Sequence, residues 1–277
     1  MSASRFFAGK SVLITGASSG IGRCLALQLG GAGARLTLAA RRADLLAALA
    51  DAVVAAGGPR PVVSVCDVTR EGDPEQAVMA AVNAFGGLDV VFANAGFGVV
   101  GFLEQLAVAD YRRQLETNVF GVLRTLKASQ AEIIRSRGNV VIIGSVAGHC
   151  ATPGNSPYSM SKFAIRALAY SITGELARHG VAVTLVSPGF IASDIRKVDN
   201  QGKLHPGAAE SMPAWLVMDT DKAARQILRA VAAKRAEVII TAHGKLLVAI
   251  QRFAPWIIRM VGRRMAARGR GHRSEVS

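Results

Sequence analysis

A short apolar run, Ser11-Val12-Leu13-Ile14-Thr15, passes without a spacer into Gly16-Ala17-Ser18-Ser19-Gly20-Ile21-Gly22 and then into an Ala- and Leu-rich stretch. Few local arrangements accept that order. Val and Ile favour extended backbone, the glycines permit a tight turn and close approach, and the residues that follow favour a helix. A helix opening near Gly20 aims its free N–H groups and positive dipole end at the space above the strand. A pyrophosphate fits that description. The plain alternative is an ordinary βα connection; the strand before the glycines and the helix after them favour binding.

The same alternation continues along the chain. Strand-like runs lie at Ser11–Thr15, Arg35–Ala39, Pro61–Cys66, Leu88–Ala93, Asn139–Gly144, Val181–Ser187 and Glu237–Thr241. Most have a continuous apolar centre, as expected of parallel strands covered on both faces. Helical patterns separate them at Ile21–Ala32, Ala43–Ala56, Asp73–Phe85, Tyr158–His179 and Thr220–Ala233. The expected fold is therefore α/β: a Rossmann-like, doubly wound, seven-stranded parallel sheet with helices on both faces. No repeat or low-complexity linker divides the chain. We expect one domain over residues 1–243 and a basic amphipathic helix and tail over 244–277. Pro188 to Met218 is too long for an ordinary connection and is a candidate lid.

Composition excludes several classes. The 277 residues are 51% hydrophobic and 19% charged, enough for a sizeable core and too apolar for a disordered chain. Three scattered cysteines, Cys24, Cys66 and Cys150, suit a reducing compartment, and neither a disulfide framework nor a metal site has the needed spacing. No run is long enough to span a bilayer, and the stretch from Met1 to Thr15 is expected to be a strand and its approach rather than a signal peptide. The net charge of +14 is concentrated: Lys245 to Ser277 holds eight basic side chains and one acid, half of the excess. A cytoplasmic protein is expected, with its tail available to the inner surface of a membrane.

The second strand ends at Ala39-Ala40-Arg41-Arg42. In dinucleotide folds an acid at this end holds the ribose 2′-hydroxyl, whereas an arginine accepts a 2′-phosphate. Arg41 and Arg42 stand there and Arg23 follows the glycines, so NADPH is expected over NADH. Solvated helix-cap cations are the alternative.

Thr15–Gly22, Asn94-Ala95-Gly96, Asn118, Ser145, Tyr158-Ser159-Met160-Ser161-Lys162 and Pro188-Gly189, in this order and spacing, together resemble the short-chain dehydrogenase/reductase family in its single-domain branch. The likeness runs from about Lys10 to Ser193 and more loosely to Thr241. The chemistry of the set stands on its own residues. Tyr158 and Lys162 are four apart on a helical pattern and share a face. A nearby ammonium and an oxidised nicotinamide favour phenolate over a phenol of pKa about 10, so Tyr158 can act as general acid or base near neutrality. Ser145, at a strand end, can hydrogen-bond the substrate oxygen. The resemblance implies that the backbone of Asn118 holds a water linking Lys162 to solvent. It also implies cofactor contacts by Thr15, Gly16, Ser18, Ser19, Gly20, Ile21 and Gly22, by Arg41, and by Asp67-Val68 at the adenine. Asn94, Ala95 and Gly96 would border the cofactor, joined by Tyr158 and Lys162. Pro188, Gly189, Ile191 and Ser193 would meet the nicotinamide carboxamide; Ser193 stands where the family usually has Thr.

Expected substrate contacts are Ser145, Tyr158, Phe97 (with Gly98-Val99-Val100 behind it) and His149, although a histidine so placed more often just satisfies local backbone groups. The loop from Phe190 to Met218 adds Leu204, Met212, Trp215, Leu216 and Met218 alongside Lys197, Lys203 and His205, either as pocket lining or as plain core. Such a lining suits a lipophilic ketone or secondary alcohol, steroid-, sphingoid- or ketoacyl-like. Two alternatives remain open: a ketoreductase for small or carrier-protein-bound 3-oxoacyl substrates, and a non-catalytic NADP(H) sensor. A homodimer or homotetramer through Asp110–Arg135 and Tyr158–His179 is implied by the resemblance. In the tail, Lys245, Arg252, Arg259 and Arg263 share a helical face with Phe253 and Trp256 nearby, and Pro255 should kink or split the helix. That segment reads as an interfacial membrane helix or as a helix packed on protein; nucleic acid is not expected. Arg263 to Ser277 is expected to fray.

Overall fold

The computed structural model describes residues 3–192, 199–200 and 213–271, so Ser193, Lys197, Lys203, Leu204, His205 and Met212 lie outside the described residues. The strands are β1 (Ser11–Thr15), β2 (Arg35–Ala40), β3 (Val62–Val65), β4 (Val90–Ala93), β5 (Asn139–Ile143), β6 (Ala182–Pro188) and β7 (Glu237–Ile240). They form a single seven-stranded sheet in the order β3-β2-β1-β4-β5-β6-β7, and every pairing is parallel. The helices are α1 (Ala3–Phe7), α2 (Gly20–Gly31), α3 (Ala43–Ala55), α4 (Asp73–Phe85), α5 (Val108–Leu115), α6 (Gly121–Ser136), α7 (Ser156–Ala177), α8 (Thr220–Ala232), α9 (Ala242–Phe253) and α10 (Pro255–Gly271).

Two apolar layers sandwich the sheet. Leu25, Leu29, Leu46 and Ile227, from α2, α3 and α8, bury one face together with Leu36, Leu38 and Phe92. Leu126, Ile133 and Ile165, from α6 and α7, bury the other with Leu13, Val91 and Ile142. From β1 the chain builds outward to β3, then returns to lay β4 on the opposite side of β1. That reversal opens a crevice at the carboxyl ends of β1 and β4, the place where such sheets bind ligands.

The apolar-centred pattern expected of most strands does not extend to β3. β3 alternates between half-buried and exposed residues, with Val63 38% and Val65 57% exposed, because it is the sheet's edge and has cover on one side only. The long helix expected from Asp110 to Arg135 is interrupted: α5 ends at Leu115, and a wider π turn over Glu116–Phe120 leads into α6. Such turns break the ordinary i→i−4 ladder, often at functional sites. The tail splits at Ala254, Pro255 taking the first position of α10, and α10 continues to Gly271, past the expected fraying point.

The sheet order makes unequal demands on two aliphatic positions. Leu38→Ala, fully buried in β2 between two neighbouring strands, should lower stability by about 2–5 kcal/mol, whereas Val65→Lys on the edge should change it by less than about 1 kcal/mol. Urea unfolding of the two variants measures the contrast.

Candidate active site

Thr15 ends β1 with its hydroxyl inside the fold, donating to Phe92 O (3.2 Å) and accepting from the backbone N–H groups of Asn94 (3.1 Å) and Ala95 (3.2 Å). Asn94 returns the contact, its Nδ2 donating to Thr15 O (2.8 Å) and Gly16 O (3.2 Å). Together they staple the ends of β1 and β4. The approach is close enough to demand glycine: a Cβ on Gly16, which sits at φ +64°, would lie 2.8 Å from Ala95 Cα, and one on Gly22 would lie 2.5 Å from Gly16 O. Thr15 and Gly22 therefore shape the turn from behind, while Gly16, Ser18, Ser19, Gly20 and Ile21 line the cleft in front of it.

Ser19 precedes α2 without capping it through its side chain. Its hydroxyl instead accepts from Arg42 Nη2 at 2.9 Å, and the same nitrogen donates to Ser18 Oγ at 2.9 Å. Arg42 thus lies across the glycine turn, with Arg41 beside it on the cleft wall. Arg23 is exposed and does not line the cleft. Sequence reasoning singled out Arg41 as the contact; the bridging position of Arg42 depends on how β2 ends relative to β1, which spacing alone does not reveal.

The cleft measures about 500 Å³. It brings together Asp67 and Val68 after β3, Asn94 to Phe97 after β4, Ser145 after β5, Tyr158 and Lys162 on α7, and Pro188, Gly189 and Ile191 at the end of β6. Gly144, Thr69, Arg113 and Thr117 also line it, and no motif had marked them. An uncapped helix N-terminus, two guanidiniums and a polar far end on one continuous wall fit a dinucleotide.

At the far end, Lys162 is almost fully buried, its Nζ donating to Ile143 O at 2.9 Å and lying 5.6 Å from the centre of the Tyr158 ring. Burial holds the lysine down at about 8. Helix α7 meets the Ser145 turn without a gap, since a Cβ on Gly148 would stand 2.6 Å from Lys162 O. Ser145 Oγ accepts from Ala147 N at 3.1 Å, which leaves its proton free to be donated.

Asn118 sits in the π turn, buried, and does not line the cleft. Its side chain brackets Phe97, accepting from Phe97 N (3.1 Å) and donating to Phe97 O (3.0 Å) and to Ser161 Oγ (3.2 Å). It positions the strand-four loop against α7.

His149 corrects an expectation. It is 5% exposed and absent from the cleft wall; Nε2 lies 3.0 Å from Ser187 Oγ and 3.1 Å from Glu237 Oε1. A buried imidazole needs polar partners, and here the partners belong to β6 and β7. The hydrogen bond from His149, foremost, holds the Glu237 carboxyl below the usual carboxylate range. Trp215, 82% exposed, is neither core nor cleft lining, whereas Met218 packs against the core and is held by backbone bonds to Phe190 and Ala192. Asn200 pairs with Val100 through both backbone groups, Val100 N donating at 3.0 Å and Val100 O accepting at 2.9 Å.

His243 was not foreseen. Its Nε2 accepts from Phe190 N at 3.2 Å, lies 3.1 Å from Thr241 Oγ1, and its ring stacks on Phe190. An accepting Nε2 must be unprotonated, and burial lowers the His243 pKa below its ordinary 6.5. The unfolded chain therefore binds the proton first. His243 contributes stability that is complete above about pH 6.5 and is lost as pH falls through its lower folded value. The melting temperature of His243→Gln, compared with the parent across that acid range, should show a shallower decline.

Residues 10–204 match the family profile described as short chain dehydrogenase. The chain is 35% identical over 242 residues to 11-beta-hydroxysteroid dehydrogenase A of Sesamum indicum, covering 87% of this chain and 68% of that protein. It is 31% identical over 276 residues to dehydrogenase/reductase SDR family member 7B of Bos taurus, with 95% and 82% covered. Among solved structures, a short-chain type dehydrogenase/reductase from Mycobacterium marinum superposes with a TM-score of 0.74 at 27% identity, covering 87% of this chain and 97% of the other. A Caenorhabditis elegans short-chain dehydrogenase/reductase of unknown function, solved with cofactor, shares the fold at a TM-score of 0.79 and 24% identity, with the same coverage. With the glycine turn, Ser145, Tyr158 and Lys162 on one cleft, the chain belongs to the short-chain dehydrogenase/reductase family, NAD(P)-dependent oxidoreductases acting on CH–OH and C=O groups.

Proposed function

We propose that the protein is an NADPH-dependent carbonyl reductase or alcohol dehydrogenase for a lipophilic ketone or secondary alcohol. The observation that carries the reading is the buried Lys162 ammonium against the Tyr158 ring, on the same cleft as Ser145. When bound, the cofactor supplies or takes up hydride at its nicotinamide. Ser145 donates its free proton as a hydrogen bond to the carbonyl oxygen, with Ala147 N holding the hydroxyl in place. Tyr158 gives that oxygen a proton in reduction and takes it back in oxidation. Lys162, fixed by Ile143 O, stabilises the phenolate left on Tyr158. Arg42, laid over Ser18 and Ser19, and Arg41 beside it, support the choice of NADPH. Phe97 and Ile191 on the wall support a lipophilic substrate. Exposed Phe120 and Leu123 after α5, and Met160 and Phe163 on α7, support a homo-oligomer formed through these helices. In the reading, the backbone of Asn118 keeps the water relay that the family resemblance implies.

A panel of steroid, long-chain and 3-oxoacyl ketones, read by NADPH oxidation, tests the assignment; no turnover with any carbonyl class would favour a non-catalytic sensor. Tyr158→Phe should lower kcat/KM by about 10²–10⁴-fold while NADPH still binds. For reduction, kcat/KM should fall as pH rises through about 8, where Lys162 loses its charge and the phenolate its cation. Arg42→Ala should raise the KM for NADPH at least tenfold and leave that for NADH nearly unchanged; an equal effect on both would return Arg42 to a purely structural role.

A further inference from the structure

The carboxyl-terminal helices α9 and α10 pack against one another and onto the domain through their inner sides. A Cβ on Gly244 would lie 2.9 Å from Val146 Cγ2, and one on Gly262 would lie 3.4 Å from Pro153 Cδ, so the pair rests on the loop that follows Ser145. Their outer sides are unlike an ordinary solvated surface. On α9 the exposed residues Lys245, Leu246, Arg252 and Phe253 recur at helical spacing, and on α10 Trp256, Arg259, Met260 and Arg263 do the same. Phe253 is 80% exposed, Leu246 63% and Trp256 59%. The sequence from Ala242 to Gly271 contains no aspartate or glutamate.

We propose that this outer face docks on an anionic lipid bilayer. Large apolar rings and guanidiniums share one face, and a bilayer surface accommodates both at once. The rings of Phe253 and Trp256 reach the boundary between headgroups and acyl chains, while the arginines extend to lipid phosphates. Charge complementarity selects the occupant. A second copy would bring two acid-free basic faces together, and a nucleic acid would engage the cations but leave Leu246, Phe253, Trp256 and Met260 without a counterpart. No described helix is long and apolar enough to cross the bilayer, so the contact lies along the surface. The proposal is independent of the assigned reaction.

The test uses the full chain sedimented with vesicles of phosphatidylcholine alone or mixed with phosphatidylglycerol. The protein should pellet with the mixed vesicles at low salt, with at least tenfold weaker binding to the neutral ones or at high salt. Phe253→Ser with Trp256→Ser should weaken binding at least tenfold, and so, separately, should Arg252→Gln with Arg259→Gln. Because these side chains are exposed, circular dichroism should be unchanged. The chain has two tryptophans, so in a Trp215→Phe background the emission of Trp256 should shift to the blue when mixed vesicles are added. Absence of pelleting with anionic vesicles overturns the proposal. So does binding that persists after the two aromatic residues are removed and is matched by heparin, which would show a simple polyanion contact. A dimer in light scattering that dissociates in the aromatic variant and binds no vesicles would assign the face to a second copy instead.

Discussion

A lysine ammonium inside a protein must be held by something, and Lys162 is held by one main-chain carbonyl and an aromatic ring. Burial favours the neutral amine and pulls the group down to about 8, yet at neutral pH the charged form still predominates. Much of the architecture nearby can be understood as serving that compromise. Ile143 O, the acceptor, is the last carbonyl of β5, and the strand that supplies it also delivers Ser145 two residues later. Gly148 lets α7 lie against the Ser145 turn, so the cation, the phenol and the hydroxyl all depend on one helix-to-loop contact. A side chain at Gly148 would push that contact apart and separate groups whose usefulness lies in their being together.

The other end of the cleft depends on a different kind of closeness. There the backbone of β1 and the segment after β4 approach until only glycine fits at Gly16 and Gly22, and Thr15 and Asn94 exchange hydrogen bonds across the gap. The N-terminus of α2, with no side-chain cap, opens onto the cleft beside the glycine turn. Charge is supplied from β2, through Arg41 and Arg42. Phosphate recognition and proton transfer are thus carried by different pieces of the sheet, which the reversal of strand order places side by side.

Sequence reasoning reached the parts whose chemistry is local. The glycine turn declares itself because its backbone conformation restricts residue type, and Tyr158 and Lys162 because helical spacing puts them on one face. The alternation of strand and helix is equally local, and most boundaries fall within a residue or two. The failures involve partners far apart in the chain. His149 stands close after Ser145, as a substrate contact would, but its partners Ser187 and Glu237 come from neighbouring strands that no spacing rule connects to it. Arg42 stands where a 2′-phosphate contact is expected, but its bridge to Ser18 and Ser19 emerges only when β2 is set beside β1. The π turn at Asn118 has no composition signature, since Glu116-Thr117-Asn118-Val119-Phe120 reads as helix in every respect but its register. The edge position of β3 follows from strand order, and its exposed Val63 and Val65 would have suited a central strand as well.

His243 shows how the tail and the catalytic domain form one mechanical unit. It belongs to the first turn of α9, yet it holds the Phe190 amide and stacks on that ring, immediately after the Pro188-Gly189 segment of the cleft wall. One residue on, Gly244 packs on Val146, beside Ser145. Displacing α9 would therefore disturb both walls at the catalytic end, the turn after β6 and the turn after β5. A lipophilic ketone partitions into the same phase on which the outer face of α9 and α10 is proposed to rest. Rigid attachment of that face to the loops around Ser145 and Phe190 is the arrangement that would let a surface-bound enzyme keep its cleft in register with such a substrate, whereas a tail joined by a flexible linker would give adhesion without orientation.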